Sequence, residues 1–178
     1  MQSQTSLTTI ISANIETLDQ TIGFLSDLDN STFNAVMEPW MSSSIGGHLR
    51  HIADTYRAVI LAQQSRQVDF NFRRRNSGIE THLQQARKEI RNIRQWIENL
   101  DQNLNYPLSL VTEVTLTKSR GVELNSNLAR ELVFASSHAI HHLAQMATLA
   151  RLQGLNVNAA VGIAAATATH RRSTALAG

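Results

Sequence analysis

The stretch NLARELVFASSHAIHHLAQMATLARLQG, residues 127–154, decides how this chain folds. It predicts one long helix from about Asn127 to Gln153. Gly154 ends it, because glycine enters the left-handed conformation without strain. His138, His141 and His142 sit mid-helix among apolar residues. Residues four apart share a helix face, so His138 and His142 can address one metal ion from adjacent turns. His141 and His142 diverge by roughly 100 degrees and make poor co-ligands. His138 with His141 is the second choice. The HxxxH spacing is that of helical zinc sites.

Two ligands on one helix leave a site incomplete. The other histidine group, His48-Leu49-Arg50-His51, supplies His51 or His48. It lies on a predicted helix from Ile45 to about Gln64. Ser42, Ser43 and Ser44 offer N-caps there, and Ile45, Leu49, Ile52, Tyr56, Val59 and Ile60 mark the buried face. A first helix is expected from about Ser6 to Leu28, with Leu7, Ile10, Ile11, Ile15, Leu18, Ile22 and Leu25 at helical spacing. A third runs from about Ile79 to Leu100, with Leu83, Ala86, Ile90, Ile93 and Ile97 inward. Residues 66–77 carry no helical period and read as a loop. Between the third and fourth helices, Leu110–Thr117 alternates. Ser119-Arg120-Gly121 and Val122-Glu123-Leu124 follow, which predicts a short hairpin.

The expected fold is therefore all-α: an antiparallel four-helix bundle with a small β-hairpin inserted before the last helix. One domain spans 1–155. An Ala/Thr-rich, partly ordered tail spans 156–178, with Ala164–Thr169 a short helix or nothing ordered. Facing helices of such bundles commonly build inward metal sites. Three neutral imidazoles with open positions for water describe a catalytic rather than a structural site.

Composition narrows the function classes. The 178 residues are 42% hydrophobic and 17% charged, with no cysteine, two prolines and eight glycines. Thiolate ligands, disulfides and a cysteine nucleophile are excluded. No segment approaches the roughly 18 apolar residues of a membrane span. Met1–Thr9 lacks the basic start and apolar run of a signal peptide, so a cytoplasmic protein with no membrane partner is expected. The formal charge is only +2, a weak argument for nucleic acid. Basic residues still cluster, at Arg73, Arg74 and Arg75 and at His170, Arg171 and Arg172. The first run is either a solvated patch or a binding site for an anionic substrate. His82 and His170 are expected to be exposed.

At these residues the chain resembles the DinB/YfiT-like superfamily of metalloenzymes, over about residues 5–155. The stretch Ser44 to Asp54 is similar to the family's second helix, with His51 followed by Ile52, Ala53 and Asp54. Glu131 to Ala144 is similar to its last bundle helix with HxxxH. Asp69 to Arg75, with Ile79-Glu80 after it, looks like a subgroup feature. The metal-binding bundle domain of ergothioneine-pathway sulfoxide synthases looks similar too, and the ligand there matches His51 rather than His48. The resemblance implies a triad of His51, His138 and His142 holding a divalent ion such as nickel, zinc or iron. His48 and His141 are additions to the family pattern.

The family's activities include thiol-dependent transfer and hydrolase-like chemistry. The resemblance thus implies a metal-dependent enzyme acting on a small-molecule substrate, with water or a low-molecular-weight thiol activated at the metal. His48 is the candidate acid/base or catalytic residue, and Arg73, Arg74 and Arg75 the candidate substrate-binding residues. The alternative is a metal-stabilised stress or interaction protein without turnover. Nucleic-acid binding is disfavoured because Phe70 and Phe72 alone accompany the basic runs. A homodimer pairing through an apolar helix face is the expected assembly.

Overall fold

The computed structural model describes residues 2–103, 105–118 and 120–176, with the side chains of residues 7–175 in that range. It is mostly helical, with a small three-stranded sheet. Four long helices carry the core: α1 (Gln2–Ser26), α3 (Ile45–Ser65), α5 (Leu83–Glu98) and α6 (Leu128–Leu152). Two short ones, α2 (Asn30–Asn34) and α4 (Gly78–Thr81), lie between them, and α7 (Ala165–Leu176) follows. The strands are β1 (Gln67–Asp69), β2 (Pro107–Glu113) and β3 (Gly121–Asn127). No described helix is long and apolar enough to cross a membrane.

Each long helix packs against two others: α1 against α5 and α6, and α3 against the same pair. The ring order is therefore α1–α5–α3–α6, which is not chain order. Tyr56 of α3 is fully buried and donates its hydroxyl across the middle to Asn14 of α1 at 2.9 Å. Leu18, Leu25, Ile52, Ile90, Ile97, Leu132 and Leu143 fill the space around it, with almost no exposed surface.

Local chemistry sets the ends of the two helices that carry the histidine groups. Ser44 caps α3, its hydroxyl accepting from the Gly47 amide at 3.1 Å. Gly46 lies against the carbonyl of Glu80 and the ring of Phe33, where a Cβ would collide with backbone. Asn127 caps α6 through the Arg130 amide at 3.0 Å. Gly154 takes φ +86, and the Leu155 amide donates back to the Ala150 carbonyl at 3.0 Å, closing a Schellman turn.

The sequence expectations need four adjustments. Residues 66–77 are not all loop: β1 pairs in parallel with β2, Val68 opposite Leu110, and buries Val68 completely. Three residues are too few to show a period. The third helix is interrupted at His82, which is extended and separates α4 from α5. Asn34 donates to the Thr81 carbonyl and Asn30 accepts from the Leu83 amide at this break, so side chains replace the interrupted backbone bonds. The hairpin begins earlier and is longer than predicted: β2 and β3 pair antiparallel from Pro107–Asn127 to Glu113–Gly121. Ser119, part of the predicted turn, lies outside the described residues, as does Met1. The tail helix extends to Leu176, beyond the predicted Thr169. Before it, Gly162 takes φ +76 against the backbone of Ala144, where a Cβ would clash, and its amide donates to Gln20 at 3.1 Å.

Candidate metal centre

The α3–α6 contact brings the two histidine groups together. His51 is on α3; His138 and His142 are one turn apart on α6. The Nε2 atoms of His51 and His138 are 2.8 Å apart, and those of His138 and His142 3.2 Å apart. One ligand nitrogen from each of the three lies within 4.8 Å of the other two. The three rings stand nearly perpendicular to one another, at interplanar angles of 82°, 90° and 81° with centroids 4.6–4.8 Å apart. They form a three-bladed propeller with nitrogens toward a common point.

Hydrogen bonding among the rings accounts for this arrangement only in part. A neutral imidazole Nε2 carries one in-plane hydrogen or one in-plane lone pair, never both. His138 therefore makes at most one linear bond, to His51 or to His142, and the other contact is left bent and shared. A cation at the centre removes the conflict. Two nitrogens about 2.1 Å from one ion, at neighbouring coordination positions, stand about 3.0–3.4 Å apart. The spacing seen is close to that, so the donor set fits a divalent metal.

Electrostatics keep the rings neutral. Burial first, then the charges of the neighbouring histidines, hold His142 down to about 3. Burial and the nearby Arg73 guanidinium hold His51 at about 4. Burial lowers His138 as well, with help from His141 and Arg73. All three lone pairs are therefore available at neutral pH, without displacing protons.

The remaining histidines are placed as follows. His48 is 9% exposed and its Nδ1 is 3.0 Å from Nδ1 of His142, so it stands behind that ring. Its Nε2 is buried without a hydrogen-bond partner. His141 is exposed, with its Nε2 accepting from the Gln145 amide at 2.9 Å. His82 and His170 are exposed, as expected.

The arginine run divides by role. Arg74 donates from its amide and Nε to Asp54, at 3.0 and 2.6 Å, and from Nη1 to Glu89 at 2.8 Å. Arg73 and Arg75 line a cavity of about 600 Å³ that also contains His51 and His138. Asp54, 1% exposed, holds both Arg74 and Arg50. Asp54 also sits one turn beyond His51, so the loop carrying the arginines is tied to the helix that carries His51. Phe134 stacks on His138 at 5.4 Å and 12°, and meets Phe70 at 4.8 Å. Neither Phe134 nor Arg130, another residue of this wall, stood out in the sequence. Their only signal was position, one and two turns before His138.

A family model described as the DinB superfamily matches residues 13–146, a span that includes all three converging histidines. A protein named FK506-binding protein 5, from Rhizopus delemar, is 32% identical over 104 residues, covering 58% of this chain. The chain spans 27% of that relative's length. No solved structure matches the chain.

Proposed function

The chain belongs to the DinB superfamily, and from that premise we propose that it is a metal-dependent enzyme of the thiol-transferase or hydrolase type, with His51, His138 and His142 holding a divalent ion such as nickel, zinc or iron. The observation that carries this reading is the convergence of three neutral imidazoles, two of which, His51 and His138, line a cavity large enough for a small molecule. Such an ion, when bound, lowers the pKa of a bound water or thiol and stabilises negative charge on a substrate oxygen.

The chain's own residues have separable tasks. With the Nε2 lone pairs of the triad turned inward, the His142 proton sits on Nδ1 and is donated to Nδ1 of His48. His48 then carries its own proton on Nε2. It thus holds His142 in the ligating tautomer and orientation, the part a carboxylate usually plays. In this reading His48 is a positioning residue and does not reach substrate. Phe134 fixes the plane of His138 by stacking. Phe70 and Phe134 form an apolar floor that excludes water beside the ligands.

A screen of the metal-loaded protein with low-molecular-weight thiols and small electrophiles, and with ester and amide substrates, tests the reading. Turnover that disappears in His138→Ala supports it. Metal that stays bound with no turnover in any arm contradicts it. One observation favours a second reading, a metal-stabilised interaction protein: the ligands come from two helices, α3 and α6, that a metal would tie together. In that case a chelator lowers the melting temperature strongly while no substrate is consumed.

A further inference from the structure

The cavity beside His51 and His138 has a mixed wall. Its lining carries the guanidiniums of Arg73 and Arg75, and that of Arg130, which Glu131 already holds at 2.8 Å, against one lining carboxylate, Glu113, among the described residues. Arg75 is exposed and has no carboxylate partner among the described residues. Arg73 spends only Nη1 on the carbonyls of Phe70 and Phe72, the latter at 2.7 Å. Its nearest buried acid, Asp54, is already taken by Arg50 and Arg74. Because Arg74 is anchored to Asp54 and Glu89, its two neighbours are the ones left to line the cavity.

Apolar side chains share the lining with these groups. Phe134 lies between His138 and Phe70, with the Arg130 guanidinium 5.7 Å above its ring. The hairpin adds Leu116 and Leu124 at the cavity's lip, the first fully exposed and the second half exposed. Apolar side chains grouped at the mouth of a cationic cavity mark a surface that a ligand covers.

We propose that this cavity binds a small organic anion: a molecule whose carboxylate or phosphate pairs with Arg73 and Arg75 and whose aromatic or branched apolar part lies on Phe134, beneath Leu116 and Leu124. Guanidiniums suit this task because their planar donor fork matches an oxyanion and keeps its charge at all working pH values. The proposal rests on the metal-site reading in one respect: an anion so held has its reacting end beside His51 and His138.

The test uses the full metal-loaded chain and two probes of matched shape, naphthalene-1-acetate and the neutral 2-(1-naphthyl)ethanol, in calorimetric titrations at low salt. Metal content is measured on the same samples. The acid is expected to bind roughly tenfold tighter than the alcohol, the scale of one charge-assisted contact. R75Q, which removes an exposed side chain without a carboxylate partner, should reduce that preference, and R73Q with R75Q should remove it, with metal content unchanged. R91Q, on the outer face of α5, should leave it intact. Equal affinity of the two probes overturns the proposal while leaving the metal site standing, and so does an acid preference that survives in R73Q/R75Q. A preference that persists in protein unable to hold metal means instead that the metal reading fails and the anion cavity survives.

Discussion

His48 and His142 share a contact whose sense a metal at the triad would set. With the triad's lone pairs inward, His48 accepts the Nδ1 proton of His142 across 3.0 Å. Removing that acceptor in His48→Ala should weaken metal binding about 10- to 100-fold without changing how much metal the saturated protein holds. A competition titration against a chromophoric chelator measures this, and unchanged affinity would assign His48 to packing alone. The depressed imidazoles also set a pH dependence. His142 titrates at about 3 and His51 at about 4 in the folded chain, against 6.5 for the ordinary group. Between those values the unfolded chain binds more protons, so the metal-free protein loses stability as pH falls from 6.5 toward 4. Above 6.5 these groups contribute no slope. Thermal melts across that range check it; stability that rises on acidification is the wrong sign. At this scale the HxxxH pair was legible because four residues make about one turn. The choice between His48 and His51 was not, since three residues apart both fall near the same face. Only family resemblance separated them. Asn14, Thr17 and Thr21, all buried, stayed hidden for a related reason: polar residues at core spacing look like gaps in an apolar stripe.

Among the elements, α3 has the most crowded environment. From Ile45 to Val59, only Arg50, His51 and Arg57 escape full burial. Asp54 lies within that run with its side chain wholly buried, paired with Arg50 and Arg74, whose side chains are 13% and 21% exposed. Asp54→Ala leaves Arg50 with Glu80 alone and Arg74 with Glu89 alone, and losing the buried half of both pairs should cost about 2–3 kcal/mol. Denaturant unfolding measures that loss. A change under about 1 kcal/mol would mean the pairs behave as surface ion pairs. The elements were unevenly legible. The stripe Leu83, Ala86, Ile90, Ile93 and Ile97 of α5 is buried as the spacing predicted. The break at His82 was not legible, because apolar period carries across an interruption of one residue. The strand β1 was not, because its pairing partner lies about forty residues away in β2.

At the scale of the whole molecule, the ring order α1–α5–α3–α6 decides the site. It sets α3 beside α6, so histidines separated by 87 positions in the chain come to 2.8 Å. Amphipathic periods define four faces but not their order around the core, which is why the sequence supplied the ligands without supplying their meeting. The three-histidine centre is the claim on which the functional reading depends. Elemental analysis of the purified, metal-equilibrated protein, beside His51→Ala and His142→Ala, tests it most directly. The account predicts a single divalent ion per chain in the wild type and near-complete loss in both variants, with far-ultraviolet circular dichroism showing that each still folds. Equal metal content in all three, or a wild type that retains none, would contradict it.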